Sequence, residues 1–217
     1  MIKNKELFDK YFEYLTTENE KYNLTSIVKY DEVYNKHFID SLSMEEVINL
    51  NKKISVCDVG SGAGFPGIPI KIEHEQISLT IIEPTQKRVR FLNNLINLLN
   101  LKDIKLINDR AENVKECREF FDVTCARAVA SIPILLELLV PLTKVNGKIV
   151  LYKGDKGIEE LEESKKALKT LNCNLEKIHE YELPDNMGKR ILIVINKNNK
   201  TDLKYPRRYS IIKNNPL

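Results

Sequence analysis

The chain has no apolar run that approaches the roughly 18 residues needed to cross a bilayer. Its opening, Met1-Ile-Lys-Asn-Lys, lacks the apolar core of a signal peptide. Cysteine is sparse and unpatterned: Cys57, Cys117, Cys125 and Cys173 form no C-x-x-C pair. They read as reduced thiols of a cytoplasmic protein, and no zinc site or other metal is expected. Charge of either sign is in small surplus only, +3 from 34 basic and 31 acidic residues. That balance neither requires nor forbids a nucleic-acid partner, so local clustering has to decide. No internal repeat is visible. What is present, 217 residues of which 42% are hydrophobic, suits one α/β domain with a small extension.

The chain is organised around Ile54-Ser-Val-Cys-Asp-Val-Gly-Ser-Gly-Ala-Gly-Phe-Pro-Gly67. Ile54 to Val59 is the short, β-branched run of a buried parallel strand. Gly60, Gly62 and Gly64 follow where the strand must turn and admit a ligand to the backbone. Pro66, Gly67 and Pro69 then open a helix, where a missing N–H is tolerated. Two registers compete. From Gly62, G-A-G-F-P-G satisfies the dinucleotide pattern, although Phe65-Pro66 removes an amide donor from the turn. From Asp58, D-V-G-S-G-A-G satisfies the acidic-x-G-x-G-x-G pattern of class I methyltransferases that use S-adenosylmethionine. There an acidic group belongs near the sulfonium and the α-ammonium of the methionine part.

Around this stretch the pattern is regular. Leu7, Phe8, Tyr11, Phe12 and Leu15 form one helical stripe, and a second helix is expected from about Asp31 to Ile48. The second helix carries His37 and Asp40 three apart, on one face; by itself the pair reads as structural. From Ile54 strands and helices alternate: strands at Ile77–Ile82, Ile104–Ile107, Phe121–Ala126 and Lys148–Lys153, helices at Thr85–Leu99, Ile132–Leu142 and about Gly157–Leu171. Two strands near Leu175–Leu183 and Arg190–Ile195 close the chain without a helix between them. The expected fold is therefore α/β and Rossmann-like: a seven-stranded, mostly parallel sheet with helices on both faces, an antiparallel edge and an N-terminal helical extension. The expected divisions are 1–50 for the extension, 51–199 for the methyltransferase domain and 200–217 for a basic surface arm without periodicity.

Ligands in such a sheet bind at the C-terminal ends of the strands. Glu83, 23 positions after Gly60, is placed to accept both ribose hydroxyls. Ala111 and Glu112 follow the third strand, where an amide and a side chain bracket an adenine. Arg127 follows the fourth, beside the place of a methyl acceptor, where position alone also allows a surface salt bridge. Absences narrow the acceptor. The Asn/Asp-Pro-Pro-aromatic motif of exocyclic-amine methyltransferases is missing, and Ala126-Arg-Ala-Val129 stands in its place. Cys125 lies inside the strand without the proline neighbour of a pyrimidine-attacking nucleophile, and reads as a packed thiol. Acceptors that already carry a free lone pair remain, such as guanine N7, and these need alignment rather than a general base.

With Asp58–Gly67, Lys87-Arg88, Arg110-Ala-Glu112 and Ala126-Arg-Ala-Val-Ala130 the chain resembles the RsmG (GidB) family of bacterial small-subunit ribosomal RNA guanine-N7 methyltransferases. The resemblance runs from Asn23-Leu-Thr-Ser-Ile27 and His37-Phe-Ile-Asp-Ser-Leu42 to Tyr205-Pro-Arg-Arg208 and Pro216-Leu217. It implies an S-adenosylmethionine-dependent enzyme acting on a guanine of the decoding region of 16S rRNA, in free RNA or a 30S particle; a monomer is the default expectation. It implies cofactor contacts at Gly60, Phe65, Ala111, Glu112 and Arg127, with Arg127 positioning the reactants, and these join Asp58, Gly62, Gly64 and Glu83 from the motif and strand-end reading in one expected cofactor site. Lys36, His37, Lys153, Arg207 and Arg208 are the expected RNA contacts. Two departures stand out: Ser210 and Ile212 where Gly and Pro are expected, and Glu83-Pro84-Thr85 where an acidic residue and Ser are common. A small-molecule methyltransferase, a nicotinamide-dependent oxidoreductase and a non-catalytic rRNA-binding assembly factor remain as alternatives.

Overall fold

The computed structural model describes residues 2–217. Seven strands form one sheet: β1 (Ser55–Val59), β2 (Ser78–Ile82), β3 (Ile104–Ile107), β4 (Phe121–Arg127), β5 (Thr143–Lys153), β6 (Cys173–Glu182) and β7 (Lys189–Lys197). Their order across the sheet is β3-β2-β1-β4-β5-β7-β6. Neighbours from β3 to β5 pair in parallel, while β7 pairs antiparallel with both β5 and β6. The chain steps outward from β1 to β3 and returns to β4 beside β1. That reversal opens a crevice at the C-terminal ends of β1 and β4, where ligands bind in open α/β sheets.

Apolar clusters cover the two faces. On one, Phe8, Tyr11 and Leu15 of α1 (Lys5–Tyr22) share a core with Phe38, with Ile68, Ile70 and Ile72 of α4 (Gly67–Glu73) and with Phe91, Leu92 and Leu95 of α5 (Gln86–Leu98). On the other, α6 (Ile132–Leu139) packs with Leu161, Ala167, Tyr205 and Ile212. The N-terminal helix is therefore part of one face of the sheet's core. Its stripe has the 3.6-residue period that a one-sided contact demands.

The structure differs from the sequence expectations in three places. The second helix is composite: α2 (Tyr30–Val33), a π-helical turn Tyr34–Ile39, α3 (Asp40–Leu42) and a 3-10 turn Ser43–Glu46. The helix expected over Gly157–Leu171 breaks at Ser164 into α7 (Gly157–Glu163) and α8 (Lys165–Thr170), where the buried Ser164 hydroxyl bonds the Leu161 carbonyl. The tail is a docked strap rather than an unstructured arm. Tyr205 and Ile212 are buried, α9 (Tyr209–Asn214) is helical, and the Arg118 guanidinium donates to the carbonyls of Thr201, Asp202 and Tyr205. Two apolar anchors that far apart do not register in a periodicity search.

Candidate functional site

The glycine turn after β1 is tied down from four sides. Gly60 N–H donates to the Ile82 carbonyl, and Gly62 N–H to Glu83 Oε2 at 3.1 Å. Asp58 Oδ2 accepts from Ser61 Oγ at 2.6 Å and from Gly67 N–H at 2.8 Å. Tyr11 of α1 donates its hydroxyl to the Ala63 carbonyl. The first amide of α4 is thus spent on Asp58, and Gly64 and Phe65 N–H both turn back to Ser61. These bonds leave little for a pyrophosphate in the dinucleotide register, which needs free amides at that helix end.

A cavity of about 240 Å³ opens beside the turn, lined among others by Gly60, Glu83, Arg88, Ala111, Glu112 and Tyr209. Glu83 is almost wholly buried and also accepts the Thr85 N–H through Oε1. Asp58 is fully buried and not in the lining. Its Oδ1 has no hydrogen-bond partner, and burial raises its carboxyl from 3.8 to about 6. Gly62, Gly64 and Phe65 are not in the lining either: Gly64 and Phe65 are buried, and Gly62 borders open space.

A second cavity of about 500 Å³ lies across the end of β4, lined among others by Lys36, His37, Asp40, Arg127, Lys153 and Arg190. Ala128 belongs to both linings, so the cavities meet at the residue after Arg127. The Arg127 guanidinium is held from every direction. Its Nη1 donates to Asp40 Oδ2 at 2.7 Å and to the Lys36 carbonyl at 3.2 Å, and the group lies 4.9 Å from the centre of the Phe65 ring. Its Nη2 is 3.1 Å from His37 Nδ1. The same Nδ1 lies 3.2 Å from the Lys36 carbonyl, and the other ring nitrogen, Nε2, is 3.0 Å from Thr25 Oγ1. Burial, and then the adjacent Arg127 charge, push His37 down to about 3, so the ring is neutral. Phe65 stacks between His37 and Tyr11, at 4.5 and 5.4 Å between centroids. The π-helical turn places two of these groups: it brings the Lys36 carbonyl and the His37 ring to the same guanidinium.

The expected RNA contacts divide. Lys36 lines the second cavity and pairs with Glu32. Lys153 lines it too, but its ammonium bonds Glu160 and the Ala130 carbonyl, which secures the loop after β4. Arg207 is turned inward. Its Nε and Nη2 grip both oxygens of the fully buried Glu137, so the group anchors the strap. Arg208 is exposed at the start of α9. Residues that sequence reasoning passed over are Tyr181 and Arg190, which flank Asp40 at 2.7 and 3.8 Å, and Tyr152 in the second cavity. Asp40 itself carried a signal, its spacing from His37, although its main partner lies 87 positions away.

A glycine turn after β1, an acidic side chain after β2 and a crevice at the strand switch describe a class I methyltransferase domain. Solved structures of that class share the fold. Ribosomal protein L11 methylase from Lactobacillus delbrueckii subsp. bulgaricus superposes with a TM-score of 0.56 at 20% identity, covering 74% of this chain and 77% of its own. M. jannaschii TYW2, solved in complex with AdoMet, superposes with a TM-score of 0.53 at 18% identity, covering 70% and 73%.

Residues 4–188 match the family described as GidB, rRNA small subunit methyltransferase G. Ribosomal RNA small subunit methyltransferase G of Staphylococcus aureus (strain Newman) is 45% identical over 215 residues, 98% of this chain and 90% of the relative. That of Staphylococcus carnosus (strain TM300) is 42% identical over 219 residues, 99% and 91%. The chain belongs to the rRNA small subunit methyltransferase G family.

Proposed function

We propose that the protein transfers a methyl group from S-adenosylmethionine to N7 of a guanine in the decoding region of small-subunit ribosomal RNA. The observation that carries this reading is the meeting of two cavities at Ala128, directly after the clamped Arg127. The first takes the cofactor and the second the base. The substrate is free rRNA or a 30S particle, and the enzyme works in the cytoplasm as a monomer.

The residues of the first cavity, with Asp58 behind them, fit the cofactor. Asp58 Oδ1 is a buried carboxylate oxygen without a protein donor, the complement of an ammonium or sulfonium charge. Glu83 offers its remaining lone pairs to ribose hydroxyls, and Ala111 with Glu112 border the base. When bound, S-adenosylmethionine supplies an electrophilic methyl group. Guanine N7 has no proton to lose, so the chain holds the reactants in line and excludes water. His37 is a weak base in this arrangement, because burial and the adjacent Arg127 charge push it down to about 3. Arg127 presents a fixed charge beside the acceptor cavity, while Lys36 and Arg190 extend the positive rim toward phosphates.

Transfer of labelled methyl from S-adenosylmethionine to unmodified small subunits and to their stripped RNA tests the proposal. Label recovered as 7-methylguanosine is expected. Bound cofactor with no label in either substrate would return the choice to a small-molecule enzyme or a non-catalytic binder.

A further inference from the structure

Tyr209 reaches the first cavity from a part of the chain 82 positions beyond Arg127, on a strap that sequence patterns leave without structure. Its placement is fixed on both sides. Upstream, Arg207 grips buried Glu137 through two nitrogens, and the Arg207 N–H donates to the same carboxylate at 2.9 Å. Downstream, Ile212 is buried against the α6 face of the core. The Arg110 guanidinium lies over the Tyr209 ring at 4.9 Å from its centre. Arg110 directly precedes Ala111 and Glu112, and all four residues line the same cavity. Tyr209 is therefore held beside Arg110, in the part of the lining that follows β3.

We propose that Tyr209 is a cofactor-binding residue, the outer wall against which the adenosyl part of the cofactor packs, with Arg110 holding the ring in place. This rests on the S-adenosylmethionine reading of the cavity. An aromatic platform under a base needs a rigid backbone and one uncommitted edge or face. The strap supplies the first through the Arg207 and Ile212 anchors, and the half-buried ring of Tyr209 supplies the second. The basic tail is then part of the cofactor site, and its inward-facing Arg207 serves that site by fixing the backbone two residues before the ring.

Calorimetric titration with S-adenosylhomocysteine and with 5′-methylthioadenosine, which lacks the amino-acid end, tests this on the full chain. Tyr209→Ala should raise Kd for both ligands by about tenfold, the size of loss found when an aromatic platform is removed from a base. Tyr209→Phe should stay within about twofold and keep the thermal midpoint of the ligand-free protein, whereas Tyr209→Ala removes a ring packed against the core and should lower that midpoint. Should Tyr209→Ala fail to fold, Arg110→Ala, a change at an exposed side chain, carries the test with about a threefold loss for both ligands. Wild-type binding of both ligands together with an unaltered Kd in Tyr209→Ala overturns the proposal. So does a loss confined to S-adenosylhomocysteine, which would place the ring at the amino-acid end. A wild type that binds neither ligand removes the cofactor reading itself.

Discussion

Arg127 at the end of β4 and Asp40 at the start of α3 form an ion pair of 2.7 Å with both side chains largely withdrawn from solvent. The pair joins the sheet to the N-terminal helices in the lining of the second cavity. Tyr181 donates to the other oxygen of Asp40, which completes the carboxylate's shell. Breaking such a pair from one side strands a buried charge, at about 3–5 kcal/mol.

Arg127→Ala should therefore lower stability as well as activity, and Arg127→Lys is the cleaner probe. Lysine keeps the charge but loses the planar fork that reaches Asp40 and His37 together. We expect Arg127→Lys to retain most of the unfolding free energy and to lose methyl transfer by about a hundredfold, on the scale of misplaced reactants. Asp40→Asn should lose activity in the same direction. The double variant should lose no more than the worse single one, because the two residues act as a unit. Additive losses in single-turnover transfer would separate them.

Asp58 makes a pH-dependent prediction whose sign follows from burial. Its folded carboxyl is raised from 3.8 to about 6, so ionisation opposes folding. The penalty is absent below the unfolded value, grows as pH rises toward 6 and then stays constant, on the order of 3 kcal/mol. Asp58→Asn can keep the acceptor toward Ser61 and Gly67 while turning its amide to the unpartnered side. At pH about 7.5 the ligand-free variant should be no less stable than wild type, and that margin should vanish by pH about 4. Wild-type cofactor affinity should fall as pH drops through about 6, and the variant should bind weakly at every pH. Thermal denaturation and calorimetry across this range check both halves.

The glycine turn separates backbone strain from ligand clearance. Gly60 and Gly62 both sit at positive φ, +73° and +62°. A Cβ on Gly60 would come within 2.7 Å of Val129 Cγ2, a residue of the first cavity's lining, whereas one on Gly62 meets open space. Each alanine substitution should cost about 1–2 kcal/mol for the left-handed conformation alone. Gly60→Ala should in addition weaken S-adenosylhomocysteine binding markedly more than Gly62→Ala. Equal affinity losses would mean that Val129 moves aside freely.

Arg207 and Arg208 are adjacent yet should behave oppositely. Arg207→Ala leaves the buried Glu137 carboxylate without its cation, so the melting temperature should fall. Arg208→Ala should leave melting unchanged, reduce RNA affinity and lower the salt dependence of binding by about one counterion. Filter binding at several salt concentrations alongside thermal scans distinguishes the two.

Much of the architecture is local, and local patterns declare themselves. The strand at β1, its glycine turn and the proline-led α4 follow from β-branched content, positive φ and a helix start that tolerates a missing N–H. The alternation that follows requires a parallel sheet, and the two helix-free strands at the end require an antiparallel pairing. Glu83, Ala111, Glu112 and Arg127 are legible for the same reason: strand ends are readable, and ligands gather there. Their partners are not readable. Asp40 meets Arg127 across 87 positions and Tyr181 across 141, and the π-helical turn that delivers His37 has no composition that marks it. Arg207 reads as a free basic residue until Glu137 is found buried beneath it, and Tyr209 reads as tail until Arg110 lies over it. The sequence by itself determined where the backbone turns and which residues stand at the strand ends, because these depend on near neighbours. Which charges are spent on each other and which face the cavities was decided only by tertiary packing. Burial makes an unpaired charge too costly to leave, and only the folded chain brings the partner within reach.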